Sequence, residues 1–490
     1  MSEGGTATER LAHWAAGLQF EGIPRRILEE CKNQLLSVIA AVHAGHFTEA
    51  GRVVSKRVKE WSGGKEATLI PSGERTSVYT AIFGNAALGL ALDYDDYTIG
   101  GHSGTSAVLT ALALAEKHGV SGRDFLLGVT AANEVQGRLG AALSDPANLE
   151  GSSFVHLAGG AIVAARLLGL DKAQTESALS LAMLQPGRCS WPVLLNGESK
   201  VLLAAQAAPV GAISADMAAG GLHGSVEALD GDGGVLGWST PPVSGALGGL
   251  GSSWLLDTVS FKVYPGHASI GTVVDCVLHL ARAHTIDAKK VRAIHVLTLP
   301  QTLEIDERST PYMNGAKTAP LSLNYSVRYN AAVALIDKEL TPRQFLREKI
   351  KDNLVWDLVG KVQLSADDDL ARRQRENTLF RRIATPNGER RAIDLEHANL
   401  TNYRNSMGAR VRIEMEDGRN FEAEEEIPQG GAGRSLDERR AAVEDKFRRE
   451  TRYTLRKEKM EKAIDLVEHL EEAASSHLRE IVRLCCSERG

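Results

Sequence analysis

Three carboxylates crowd into Asp93-Tyr94-Asp95-Asp96, directly after the apolar segment Ala81 to Leu92. If that segment is helical, its C-terminal end carries partial negative charge and anions are misplaced there. Positions that break a local rule tend to be functional; the plainer reading is a solvated acidic turn that ends the helix. Other polar residues sit at the starts of apolar, small-residue segments. His102 precedes Thr105 to His118, His156 precedes Ala158 to Leu170, Lys200 opens Val201 to Gly220, and His267 precedes Ala268 to His284. Helix N-termini offer unpaired N–H groups and the positive end of the dipole, so they attract anions. Each residue alone is explained as a cap or a satisfied core group, but their repetition favours one pocket for carboxylates. Lys262, inside the apolar run Val259 to Tyr264, is a cation costly to bury without an anionic partner. Tyr325 adds a phenol beside Asn324.

Several familiar chemistries lack their spacing. Gly101-His102-Ser103-Gly104-Thr105 falls short of a serine-hydrolase elbow, and the segment before it reads as helix and acidic loop where that motif needs a strand. No HExxH, His-x-His or CxxC is present, so no metal is expected. Gly197-Glu198-Ser199-Lys200 and Gly315-Ala316-Lys317-Thr318 miss the earlier glycine and preceding strand of a phosphate loop. Neither Gly231 to Gly237 nor Gly248 to Gly251 reads as a dinucleotide-binding turn, and no cofactor is expected.

The elements that must position these residues change character along the chain. From about Thr6 to Gly251 apolar residues recur at helical spacing, as in Ile23 to Gly45 and Ser77 to Tyr94; several segments are apolar nearly all round, which suits the inside of a bundle. First a capped helix is predicted after His102, its first turn closed by Ser or Thr. After Tyr264-Pro265 strand patterns appear at Val291 to Thr298 and in a hairpin around Asp417-Gly418, Ala409 to Glu416 with Asn420 to Ala423. They alternate with helices near Ala268 to His284 and Leu321 to Asp337. Gln429 to Gly433 reads as a linker, and the charged helical tail to Ser487 carries apolar positions (Ala463, Ile464, Leu466, Val467, Leu470) suited to packing back. The expectation is a mainly α chain: helical domain 1–266, α/β domain 267–428, and C-terminal helical segment 429–490 returning to the first. The tract Ser365 to Arg391, dense in both charge signs, reads as solvated surface.

Composition narrows the class. At 490 residues the chain exceeds one ordinary core, and 43% hydrophobic with 24% charged residues is globular. A net charge of -6 leaves no footprint for nucleic acid. Five scattered cysteines without CxxC spacing read as reduced thiols. With no signal-peptide pattern and no apolar run long enough to span a bilayer, a cytoplasmic protein without a membrane partner is expected.

At these residues the chain resembles the MmgE/PrpD family, which includes 2-methylcitrate dehydratase, cis-aconitate decarboxylase and iminodisuccinate epimerase. The resemblance lies in Ala91 to Asp96 with Gly101 to Gly104, His156, Gly197 to Lys200, Phe261 to Pro265 with His267, and Ser322 to Tyr325, in family order. It implies a large all-helical domain built from both chain ends, a smaller α/β lid, a cleft between them and a homodimer. It also implies that Asp93, His102, His156, Lys200, Lys262, His267 and Tyr325 line that cleft. His102 and His156 would be the acid/base pair, with Asp93 orienting a histidine or Lys200. Tyr325 and His267 would bind substrate or deliver a proton, and Lys200 and Lys262 would stabilise negative charge beside a carboxylate. The implied activity is a cofactor-independent lyase on a small di- or tricarboxylic acid, with an isomerase or a non-catalytic carboxylate binder as alternatives. Ser103 and Tyr97 depart from the family's usual pattern, so the site is implied without its substrate.

Overall fold

The computed structural model describes residues 5–487 apart from 62, 144–152, 188, 239–243, 377–379 and 386–387. Helices dominate, and a small sheet lies in the second half: the chain is mainly α with a smaller α/β part. The helix Arg25–His46 is buried continuously from Cys31 to Gly45 and lies at the heart of the bundle. Val78–Leu90, capped by the Ser77 hydroxyl, Gly104–His118, Gly122–Leu143, Ser153–Leu167 and Leu203–Ala219 pack around it or one another. Small residues allow close approach: a Cβ on Gly160 would lie 2.3 Å from the Ala208 carbonyl oxygen of the neighbouring helix. One expectation fails here. Ser199–Ala219 is apolar and long enough to cross a bilayer, but most of its apolar stretch is buried inside the bundle.

In the α/β part, strand Val291–Thr298 pairs parallel with Val362–Ala366 and antiparallel with Ala409–Met415. The last pairs in turn with Asn420–Glu425 across the Asp417-Gly418 turn, where Gly418 takes a positive φ of 86°. Helices Gly271–Ala283 and Val327–Asp337 pack together against this sheet. Leu92 and Tyr94 of the helical part join the same apolar core, so the sequence entering the acidic motif is packed against the second half.

Two local expectations are corrected. Leu321 to Asp337 is not one helix but two, Pro320–Asn324 and Val327–Asp337. The break falls at Tyr325-Ser326, where the Ser326 hydroxyl caps the second helix and the Asn324 carbonyl turns to accept from His267 N–H at 2.9 Å. Gln429 to Gly433 is no solvated linker: the Gly430 carbonyl accepts from Phe261 N–H and Ala432 N–H donates to the Ser260 hydroxyl. Of the charged tract Ser365 to Arg391, residues 377–379 and 386–387 lie outside the described ones, while Arg372 and Glu376 are exposed and paired at 2.7 Å.

At the C-terminal end, Leu436–Thr451 packs on Arg25–His46, and Ala463, Ile464, Val467 and Leu470 are buried in the core of the N-terminal helices. The turn Thr98 to Gly101, closed by reciprocal backbone bonds of 2.9 and 3.0 Å, rests directly on the helix Gly122–Leu143. A Cβ on Gly140 would lie 1.8 Å from the Gly100 carbonyl oxygen. Gly140→Ala must therefore push the turn before His102 off the helix, at a cost of about 1–3 kcal/mol. A lowered melting temperature in thermal denaturation is the expected outcome; an unchanged one means the turn is not seated there.

Candidate active site

The site is built where the chain leaves Val78–Leu90. Asp93 turns it with a left-handed φ of 50°, a conformation that costs a non-glycine residue about 1–2 kcal/mol but is less foreign to Asp than to most. The chain then runs extended, and Asp96–Tyr97 pairs antiparallel with Ser260–Phe261. This short ladder, with Lys262 N–H on the Asp95 carbonyl at 3.2 Å, carries the Lys262 side chain to Asp93. Its Nζ lies 2.5 Å from Asp93 Oδ1 and 3.0 Å from the Asp93 carbonyl. From a third direction Lys200 reaches the same oxygen at 2.9 Å and donates to the Tyr325 hydroxyl at 2.5 Å. His102 places Nε2 3.6 Å from Asp93 Oδ1 and Nδ1 2.9 Å from Asp95 Oδ1, while the Thr105 hydroxyl donates to Asp95 Oδ2 at 2.9 Å. The His267 ring lies 5.2 Å from that of Tyr325. A narrow cleft, with room of about 20 Å³, reaches Lys262 and His267 between Tyr97, Tyr264 and Gln429.

The MmgE/PrpD N-terminal domain matches residues 9–243 and the MmgE/PrpD C-terminal domain matches 264–407. The chain belongs to the MmgE/PrpD family. A cis-aconitate decarboxylase of Aspergillus terreus is 26% identical over 400 residues, 74% of this chain and 79% of that protein. A cis-aconitate decarboxylase-like protein of Aspergillus oryzae is 28% identical over 197 residues, 37% of this chain and 41% of that protein. Asp93, His102, His156 and Lys200 fall in the first family domain and His267 and Tyr325 in the second; Lys262 lies between the two matches.

Charge decides what each group of this family member can do. Burial pushes the Asp93 carboxyl up, but the Lys200, Lys262, His102 and His267 charges outweigh it and hold Asp93 well below the usual carboxylate range. Asp95 behaves alike: burial raises it, and His102 brings it down to about 2. Asp96 goes the other way, pushed up to about 6 by burial and by Asp95. An ionised Asp95 accepts from His102 Nδ1, which leaves Nε2 as the nitrogen able to exchange a proton. The ligand atoms of Asp93, Asp95 and His102 lie within 4.8 Å of one another, a spacing that could hold a metal ion. Two ammoniums already on Asp93 would repel a divalent cation at that point.

The positions implied by the sequence need three amendments. His156 does not precede its helix but sits in the first turn of Ser153–Leu167, with Nδ1 3.0 Å from the Ser106 hydroxyl. Ser106 faces two acceptors, Gln136 Oε1 at 2.8 Å and the Ser103 carbonyl, so its single proton goes to one of them and His156 Nδ1 donates to it. Nε2 is then a buried acceptor without a hydrogen-bond partner among the described residues. Burial, reinforced by the His102 charge, lowers His156 to about 3, so it is neutral and unsuited to act as an acid. Lys200 lies in a 3-10 turn, Ser199–Leu202, ahead of its α-helix. The Ser103 side chain makes no capping bond; instead the Asp96 carboxylate accepts from Gly104 N–H at 3.1 Å, Gln34 Nε2 at 2.8 Å and the Ser103 hydroxyl at 3.3 Å. Anion and helix start are thus matched after all, across a turn of chain.

Asp95, Thr105, Ser106, Gln34 and Gln136 were not singled out as site residues from the sequence. Asp95 had a signal, since in extended chain it shares a side with Asp93. Gln34 and Gln136 had a weaker one, as amides inside otherwise apolar helices. The folded value of His156 lies below its ordinary 6.5, so the stability it contributes is complete above pH 6.5 and is lost as pH falls toward 3. Over that window the urea midpoint of the wild type is expected to fall further than that of His156→Gln. Parallel curves would show that His156 titrates normally.

Proposed function

We propose that the chain is a lyase that acts on a small di- or tricarboxylic acid using only its own side chains, and that its reaction is decarboxylation of a cis-aconitate-like acid. The observation that carries this reading is the meeting of Lys200 and Lys262 on one oxygen of Asp93, beside His102 and Tyr325. Two ammoniums sharing one carboxylate form a buried positive centre, and a substrate carboxylate supplies charge of the missing sign. The likeness to cis-aconitate decarboxylases over most of the chain supports the choice of reaction class.

In this reading a substrate carboxylate docks against Lys200 and Lys262. The bond from carbon to the departing carboxylate breaks, carbon dioxide leaves, and the electron pair spreads over the remaining carbon framework toward a second carboxylate. Fixed ammoniums in a buried site stabilise that charge far more than water does. His102 Nε2 then delivers a proton to carbon while Asp95 holds Nδ1 and steadies the imidazolium. Tyr325, bonded to Lys200, orients that ammonium or relays a proton, and His267 helps bind the substrate.

The test is turnover of cis-aconitate, 2-methylcitrate and related acids followed by NMR in deuterated water with EDTA present. Loss of carbon dioxide with one deuteron incorporated supports the reading; water loss or simple exchange at carbon would instead assign a dehydratase or an isomerase. His102→Gln is expected to lower kcat by about 10²- to 10⁴-fold in a protein that stays folded. Lys200→Met should lower kcat and raise KM together, because it removes charge used by both ground state and transition state. Wild-type rates in both variants would overturn the assignment.

A further inference from the structure

The helix Leu436–Thr451 lies beyond the residues matched by the family domains, yet it reaches the acidic motif from behind. Lys446, Arg449 and Glu450, at i, i+3 and i+4, share one face of it. Lys446 is fully buried; its Nζ donates to the Tyr94 carbonyl at 2.5 Å and to the Ser37 hydroxyl at 3.0 Å, and lies 4.1 Å from the centre of the Tyr94 ring. The Tyr94 hydroxyl lies 3.0 Å from the Val263 carbonyl and 3.1 Å from Glu450 Oε1, and accepts from Arg449 Nη2, which also donates to the Val263 carbonyl. Tyr94 stands between Asp93 and Asp95, so these bonds hold the peptides that orient both carboxylates. They also tie the motif to the segment that brings in Lys262.

Lys446 is a charged group as well as a clamp. Among the described residues no carboxylate lies within ion-pair distance of it. The charged groups that face it are Asp95 and Asp96 from the acidic motif and Arg449 and Glu450 from its own helix; the helix Arg25–His46 offers only the neutral Ser37 hydroxyl. Burial lowers the ammonium to about 7, and Asp95, Glu450 and Asp96 oppose the fall. A lone buried cation is expensive to keep, and an apolar residue of similar size would be tolerated at least as well by the fold. Below about pH 7, where it is protonated, Lys446 supplies a positive field behind Asp95, the carboxylate on which His102 depends.

We propose that Lys446 is a positioning residue of the active site: it orients the Tyr94-Asp95 peptide and holds the Asp95–His102 pair in its working charge state. This rests on the decarboxylase reading above. The experiment compares Lys446→Met, Lys446→Gln and Lys446→Arg with the wild type, measuring thermal melting together with kcat and KM for cis-aconitate across pH. Removing a positive charge raises the affinity of neighbouring groups for protons, so the acidic limb of the kcat profile moves to higher pH in the Met and Gln variants, by up to about one pH unit. In Lys446→Met kcat also falls about tenfold or more, with KM changed less, because the carboxylates lose their orientation. Lys446→Gln, which can still donate to the Tyr94 carbonyl, keeps more of kcat than Met while showing the same shift, and Lys446→Arg returns the limb to its wild-type position. An unshifted limb in folded Met and Gln variants overturns the proposal. So does failure of all three variants to fold, which would assign Lys446 to stability alone. A wild type inactive on every acid tested would instead overturn the decarboxylase reading, a result distinguishable from either.

Discussion

A buried carboxylate that carries two ammoniums is the constraint around which this chain is arranged. Asp93 is wholly enclosed, and an isolated carboxylate there would be protonated. Lys200 and Lys262 keep it ionised, and it in turn makes their burial possible. None of the three could be enclosed singly without a penalty of several kcal/mol. The group therefore forms only when three separate segments have come together, and Tyr325 joins it through Lys200.

The same arrangement explains the irregular backbone nearby. Asp93 takes a left-handed conformation because the chain must leave its helix and at once become a strand beside Ser260–Phe261. The helix expected through Leu321 to Asp337 breaks at Tyr325, and the break frees the phenol to meet Lys200 and the Asn324 carbonyl to meet His267. Glycines let the turn before His102 press against the backbone of Gly122–Leu143. Each irregularity serves to deliver a polar group that a regular element would have pointed elsewhere.

Carboxylates adjacent in sequence thereby acquire different states. Asp93 and Asp95 are held ionised by cations, whereas Asp96, beside Asp95 and capping Gly104–His118, is pushed up to about 6. The two histidines diverge in the same way. His102 Nδ1 is paired with a carboxylate, whereas His156 is sealed from solvent with its Nδ1 on the neutral Ser106 hydroxyl and kept uncharged. Environments that push like groups apart are how one pocket holds both proton carriers and fixed charges.

Much of this was legible in the residues themselves. The out-of-place acidic run after Leu92, the cation stranded in Val259 to Tyr264, and polar residues recurring beside apolar helices pointed to an anion pocket, because burial penalties and helix dipoles act on local sequence. Strand Val291–Thr298 and the hairpin at Asp417-Gly418 were equally plain, since side-chain period and turn chemistry are local. Composition also marked Ser199–Ala219 as apolar, but whether an apolar helix faces lipid or a protein core depends on what packs around it. Nor could sequence tell that Lys262 and Asp93, 169 residues apart, would share a hydrogen bond, that His156 would be too buried to ionise, or that Leu436–Thr451 would reach Tyr94. Those outcomes depend on distances across the fold, and charge interactions and desolvation are set by such distances and not by order along the chain.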